Sequence, residues 1–228
     1  MKARKYTIAV LQLALNNTPE NNLAKCKKWV KDAADKGAEI ICLPELYSSH
    51  YFCQDEDVDN FKYAEPLYDV SFTEFSALAK QLGVVIIVPF FEKRMSGIYH
   101  NSAYIIDTDG TEAGLYRKMH IPDDPGYYEK YYFTPGDLGF EPINTSLGRL
   151  GVLVCWDQWY PEGARLMALA GADLLFYPTA IGWDPNDDAE EQARQREAWI
   201  TIQRSHAVAN GLPVVVANRV GHEDSPDP

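Results

Sequence analysis

Cysteine is scarce in this sequence, and where it occurs it does not cluster. The four cysteines, Cys26, Cys42, Cys53 and Cys155, form no Cys-x-x-Cys pair, and the five histidines add no zinc-ligand spacing. No metal site is expected, and in a reducing cytosol the thiols should stay free, so any chemistry they perform should be nucleophilic. Long apolar runs are also missing: none approaches the ~18 residues needed to span a membrane. The apolar stretch after the basic start, Thr7 to Gln12, is too short for a signal core and lacks a small-residue cleavage site. A cytoplasmic protein with no membrane partner is expected. No Gly-x-Gly-x-x-Gly follows a strand and no phosphate-cradling loop occurs, which disfavours a nucleotide cofactor. Basic residues are in deficit, 21 against 33 acidic ones, for a formal charge of −12. A nucleic-acid partner would need a basic stripe, so none is expected, whereas a small cationic ligand agrees with the balance.

What is present describes an ordinary globular chain. Its 228 residues, 46% hydrophobic and 24% charged, suffice for one substantial core, and no composition break divides them. One domain over residues 1–228 is expected. Tyr6–Leu13 reads as a strand, and Asn16-Asn-Thr-Pro19-Glu20 as the start of a helix whose apolar stripe carries Cys26. Ala38–Leu43 is a second strand that stops at Pro44-Glu45. Ser71 and Glu74 form a capping box for a helix closed by Gly83. Val84–Phe91 is a strongly apolar strand, and Asp107-Thr-Asp-Gly110 turns a hairpin whose second arm runs into Arg117-Lys118. An irregular stretch from His120 to Asp137 follows; loops of that length in compact domains are usually functional. Strands at Ala172–Pro178 and Leu212–Asn218 flank a long helix that Asp187 or Asp188 can cap and Gly211 stops. Several strands are apolar on consecutive residues, so both of their faces are buried, as in a sheet with a layer on each side.

Three strand ends finish in chemically capable residues: Glu45, Lys118 and Cys155. Cys155 ends the apolar run Val152–Val154, and Pro161-Glu162 then opens a helix, so the thiol sits where the chain turns sharply. Active sites in α/β architectures collect at such ends, because the scaffold holds the side chain while the loops stay open. A carboxylate can take the thiol proton, which at an ordinary pKa of roughly 8.5 leaves the sulfur mostly unreactive. An ammonium can stabilise both a thiolate and a developing oxyanion.

In the settings Leu-Pro-Glu45-Leu, Tyr-Arg-Lys118-Met-His and Cys155-Trp-Asp-Gln-Trp-Tyr-Pro-Glu, this order resembles the nitrilase, or carbon–nitrogen hydrolase, superfamily across essentially the whole chain. The resemblance implies an α/β fold, an α-β-β-α sandwich, and a Glu-Lys-Cys triad acting on nonpeptide carbon–nitrogen bonds without a metal or organic cofactor. It places the family's second glutamate at Glu129 and an oxyanion contact at the backbone N–H of Trp156. Tyr51-Phe-Cys-Gln54 and His120-Ile-Pro-Asp-Asp-Pro-Gly-Tyr127 look like the branch that hydrolyses N-carbamoylputrescine. Such a substrate ends in an ammonium, for which Asp123, Asp124, Asp184 and Glu190 are candidate partners and Tyr51, Trp156 and Trp183 candidate walls. In the stretch that carries Asp184 and Glu190 the plainer alternative is that Asp187 and Asp188 merely cap a helix and Glu190 and Glu191 sit in its first turn, where acids are favoured. A substrate ending in a carboxylate, such as an N-carbamoyl amino acid, would instead need Arg194 or Arg196 at the pocket; an inactive assembly domain is the non-enzymatic alternative. Relatives continue past Gly221–Pro228 into further strands and a tail that supports oligomers, so the last strands are expected to be lacking here and a homo-oligomer is expected of the complete protein.

Overall fold

A computed structural model describes residues 5–15, 18–184 and 186–223. Asn16, Asn17 and the final residues 224–228, which figured in the sequence reading, lie outside that range, as does Pro185. Two sheets face each other. The first runs β1 (Ile8–Val10), β2 (Ile40–Cys42), β3 (Val85–Met95), β4 (Ile98–Ile106), β5 (Glu112–Arg117), with β1, β2 and β3 parallel and β3, β4 and β5 antiparallel. The second runs β6 (Ile143–Thr145), β7 (Gly148–Val152), β8 (Leu174–Thr179), β9 (Val214–Asn218), parallel apart from β6.

The period-2 alternation of strand side chains explains why whole runs are apolar. Ile40, Cys42, Val85 and Ile87 point between the sheets, against Leu150, Val152, Leu174 and Phe176. Their neighbours Ile41, Leu43, Ile86 and Val88 point outward, onto Cys26 and Val30 of α1 (Pro19–Asp35) and Phe75 and Leu78 of α2 (Val70–Leu82). Behind the second sheet lie α4 (Pro161–Leu169) and α5 (Ala189–Asn210): a side chain at Gly151 of β7 would collide with Leu175 and Met167, and Tyr177 of β8 stacks on His206. The fold is the expected α-β-β-α sandwich. Among the described residues no helix is long and apolar enough to cross a membrane.

Helix ends follow their local chemistry. Thr18 caps α1 and Asp188 caps α5 through side-chain oxygens, and Gly83 and Gly211 end α2 and α5 in the left-handed conformation. The capping box expected at Ser71 and Glu74 is not formed. Asp69 holds the cap position; Ser71 donates from amide and hydroxyl to Glu65, and Glu74 pairs with Lys27. β1 is also shorter than the expected Tyr6–Leu13. Leu11 still donates to Cys42, but the Leu13 carbonyl accepts from Val220, beyond the end of β9, so the chain leaves its sheet. β3 runs past its apolar stretch to Met95, because the buried Glu92 is matched by Arg117. β6 was not foreseen, nor were α3 (Glu129–Tyr132) inside the irregular stretch and the short 3-10 turns Phe52–Gln54 and Val58–Tyr63.

Candidate active site

The ends of β2, β5 and β7 converge, and each delivers one of the three residues. After β7 the Leu153 amide still bonds to the Phe176 carbonyl, and then the chain breaks into a tight turn, Cys155–Trp159, before α4. Cys155 opens that turn with φ of +45°, a conformation that costs a non-glycine residue of order 1 kcal/mol. Asp157 keeps it there. Its buried carboxylate accepts from the Val154 amide (3.0 Å), the Tyr116 hydroxyl (2.8 Å), the His120 amide (2.9 Å) and His120 Nδ1 (2.8 Å). Leu46, directly after Glu45, is likewise at positive φ, +49°. Strain of this kind concentrates at functional sites, and here it flanks both the carboxylate and the thiol.

Lys118 is fully buried. Its ammonium donates to Glu45 Oε1 at 2.9 Å and Glu129 Oε2 at 2.6 Å, both carboxylates equally buried. Its backbone is fixed on both sides: the amide donates to Asn101 on β4 and the carbonyl accepts from Gly136, each at 2.8 Å. Gly136 must be glycine, because a Cβ there would sit 2.1 Å from the Arg117 carbonyl oxygen. Asn101 Nδ2 donates to Glu45 Oε1 at 2.7 Å and the Tyr51 hydroxyl to Glu129 Oε1 at 2.7 Å. Glu45 Oε2 is buried with no hydrogen-bond partner among the described residues. A bare buried carboxylate oxygen calls for a proton donor.

Burial would push the Lys118 ammonium down, but the Glu129 and Glu45 carboxylates override it and hold it well above its ordinary value. Burial and Glu45 push the Cys155 thiol well up, against the pull of Lys118. The resting sulfur is therefore a thiol, whose one weak hydrogen bond among the described residues is to the Ala180 carbonyl at 4.0 Å. Burial raises Glu129 to about 7, with Lys118 opposing. Between its ordinary value of 4.5 and about 7 the folded protein thus holds a proton that the unfolded chain has released, so stability from this group falls as pH rises through that window. Glu129→Gln is expected to remove this contribution. Urea unfolding of parent and variant at about pH 5 and about pH 7.5 measures it; an unchanged difference between the two pH values would contradict the shift.

The other sequence-predicted residues divide. Tyr51 is buried and committed to Glu129, its ring beside Tyr127. Trp156 is half-buried, edge-on to Tyr160. Asp123, Asp124, Trp183, Asp184 and Glu190 are all exposed. Two of their loops are tied together: the Tyr127 hydroxyl donates to the Gly182 carbonyl (3.3 Å) and accepts from its amide (3.1 Å). Asp124 pairs by backbone with Tyr127, so Asp124 and the Trp183-Asp184 pair are carried to one rim. The Tyr127 ring lies 5.7 Å from that of Tyr51, whose hydroxyl holds Glu129, so that rim adjoins the Glu-Lys-Glu cluster. Glu190 lies in the first turn of α5, as a helix start favours, and Arg194 pairs with Glu191 on the exposed side of that helix. Sequence reasoning missed Asn101 and Asp157. A polar His-Asn-Ser run inside an otherwise apolar strand was the available signal for the first.

Comparison with known proteins agrees with this geometry. The family model for carbon-nitrogen hydrolase matches residues 7–226. A Solanum tuberosum protein named N-carbamoylputrescine amidase is 48% identical over 97% of this chain and 73% of its own length. A citrullinase from Francisella tularensis is 42% identical over 96% of this chain and 76% of its own. The crystal structure of a carbon-nitrogen hydrolase from Helicobacter pylori G27 superimposes with a TM-score of 0.92 at 51% identity, covering 96% of this chain and 74% of that one. With a strand-tip cysteine beside a buried Glu-Lys-Glu cluster and a family match spanning nearly the whole sequence, the chain belongs to the carbon-nitrogen hydrolase family and is a hydrolase acting on carbon–nitrogen bonds.

Proposed function

We propose that this enzyme hydrolyses the ureido group of N-carbamoylputrescine to putrescine, carbon dioxide and ammonia, through an intermediate linked to Cys155. The observation that carries the chemistry is the division of labour at Glu45: Oε1 is held by Asn101 and Lys118, while Oε2 is buried and bare. That free oxygen takes the thiol proton as the sulfur attacks the ureido carbon. Lys118 and the backbone N–H of Trp156 hold the oxyanion. Glu45 passes the proton to the departing ammonia or amine, and one carbon–nitrogen bond breaks to leave an S-carbamoyl cysteine, a thiocarbamate that keeps the other nitrogen. Water then gives up a proton to Glu45, positioned with help from Glu129, and adds to the thiocarbamate carbon. Cys155 is released and the carbamic acid loses carbon dioxide; with both steps complete, one water has been consumed. No cofactor enters any step.

For the substrate, the support is the tie that Tyr127 makes between two acidic loops at the rim of the Glu-Lys-Glu cluster. Asp123, Asp124, Asp184 and Glu190 offer carboxylates to a terminal ammonium, and Tyr51, Trp156 and Trp183 offer apolar surface to its methylene chain. The acidic balance of the chain draws a cation toward them. All four cysteines are free, which supports a reducing, cytoplasmic setting. The citrullinase relative favours a second reading, a ureido substrate that carries an ammonium and a carboxylate together.

Ammonia release from N-carbamoylputrescine, citrulline and N-carbamoyl-β-alanine separates these. The diamine derivative is expected to have a kcat/KM at least ~10-fold above either of the others, about the discrimination one unmatched charge gives. Parity with N-carbamoyl-β-alanine would sink the substrate assignment, and preference for citrulline would move it to the second reading.

A further inference from the structure

The catalytic groups come from opposite layers of the sandwich. Glu45, Lys118 and Glu129 leave the first sheet and the loops that follow it, whereas Cys155 leaves the second. Attack requires the Glu45 carboxylate and the sulfur to be set against each other to within a fraction of an ångström, and among the described residues no side-chain bond of the Glu-Lys-Glu cluster reaches across to the thiol's own sheet. On the lysine side Tyr116 and His120 cross to Asp157 of the cysteine turn, and on the Glu45 side the tip of β9, Asn218-Arg219, reaches across.

Arg219 is buried and spreads its guanidinium over four backbone carbonyls. Nη1 donates to Glu45 (3.3 Å) and Leu46 (3.0 Å), and Nη2 to Ser49 (2.9 Å) and Leu15 (3.2 Å). Two of these carbonyls bracket the strained Leu46, whose positive φ sets the direction in which the Glu45 side chain leaves the turn. Nε and Nη2 also pair with Glu223, and the other oxygen of that carboxylate accepts from the Tyr51 amide. Tyr51 is the residue whose hydroxyl holds Glu129. One residue back, Asn218 grips Ile181 at both backbone atoms: Oδ1 accepts from its amide (3.0 Å) and Nδ2 donates to its carbonyl (2.9 Å). Ile181 follows Ala180, whose carbonyl is the contact of the Cys155 sulfur.

We infer that Arg219 is a positioning residue for catalysis. Its side chain, anchored on the cysteine's own sheet, fixes the Glu45 turn and through Glu223 the Tyr51–Glu129 arm, and so sets the base against the nucleophile. The fan of donors is what the task needs. Lysine would bring the charge on a flexible stem and a compact head, which cannot bridge four carbonyls at once. The inference rests on the roles assigned above to Glu45 and Cys155.

The test measures kcat, KM and melting temperature for the parent, Arg219→Lys, Arg219→Ala and Glu223→Gln, with kcat expressed per folded molecule, counted by circular dichroism on the gel-filtered protein. Normalising to folded protein removes the loss of active molecules that a merely structural role would cause. Arg219→Lys is expected to lower kcat per site by ~10- to 100-fold with KM changed less than ~3-fold, the effect of sub-ångström misplacement of a reacting group. Arg219→Ala should lower it further, with partial recovery in millimolar methylguanidinium, and Glu223→Gln should lower it by a few-fold. If Arg219→Ala does not fold, the lysine variant and Glu223→Gln carry the test. A kcat per site in Arg219→Lys within about twofold of the parent overturns the inference. Failure of the underlying reading looks different: the parent would release no ammonia from any ureido substrate, or Cys155→Ala would remain active. If the parent proves to prefer another amide, the same ratios are read on that substrate.

Discussion

Cys155→Ala is expected to abolish turnover, lowering ammonia release at least ~10⁴-fold, while leaving the protein folded. The size follows from removing a nucleophile that acts as a unit with its base, where single losses cost nearly as much as removing the whole set. The fold should survive because the sulfur holds nothing in place. Among the described residues its one polar contact is the 4.0 Å approach to Ala180, and the turn is kept by the four donors converging on Asp157. Alanine at φ of +45° meets the same backbone strain that cysteine already bears, so no new strain arises. Circular dichroism and melting temperature, read beside ammonia release, separate the two effects. Cys155→Ser should also be nearly inactive, since a hydroxyl is a far weaker acid than a thiol and Glu45 must strip it without a metal.

Lys118→Met should be the most destabilising substitution at the site, costing about 3–5 kcal/mol near pH 8. The ammonium lies between two fully buried carboxylates, and removing it leaves both without their counter-charge. For a chain of this size that corresponds to a fall in Tm of very roughly 10 °C. The pH dependence gives the mechanism away. Without Lys118 nothing opposes the burial that already raises Glu129, so the folded variant binds a proton there that its unfolded chain releases. Its stability therefore rises as pH falls below neutrality, toward the ordinary carboxylate range, and the deficit relative to the parent shrinks. Adding Glu129→Gln should recover part of the loss by removing one of the two opposed charges. A deficit below about 1 kcal/mol at pH 8, or one independent of pH, would show that the cluster is not held as described.

The outline of this site was legible because backbone punctuation is local. Pro44, Pro161 and Gly171 mark the ends of elements within a few residues, and consecutive apolar positions mark strands covered on both sides, so the three strand tips could be placed without knowing what they faced. The family resemblance added Glu129, which sits in an irregular stretch that no periodicity describes. Arg117 and Lys118 show where local reasoning fails. Read along the chain they are a basic pair; in the fold, strand alternation sends one side chain to Glu92 and the other to Glu45 and Glu129. Arg219 was invisible for a related reason. Its carbonyl partners lie some 170 residues or more away in sequence, and hydrogen bonds to backbone carbonyls leave no trace in the partners' side-chain identities. The capping box at Ser71 was lost to a tertiary competitor, since Glu65 offers a carboxylate to the same hydroxyl and amide.

The most direct measurement is rapid quench of the enzyme during its first turnovers of N-carbamoylputrescine, followed by mass mapping of the peptide that contains Cys155. The expected result is an adduct on Cys155 that appears before steady state, has the mass of the substrate less ammonia or less the diamine, and is absent from Cys155→Ala. Turnover that proceeds with Cys155 unmodified, and that persists in Cys155→Ala, would contradict covalent catalysis at this residue.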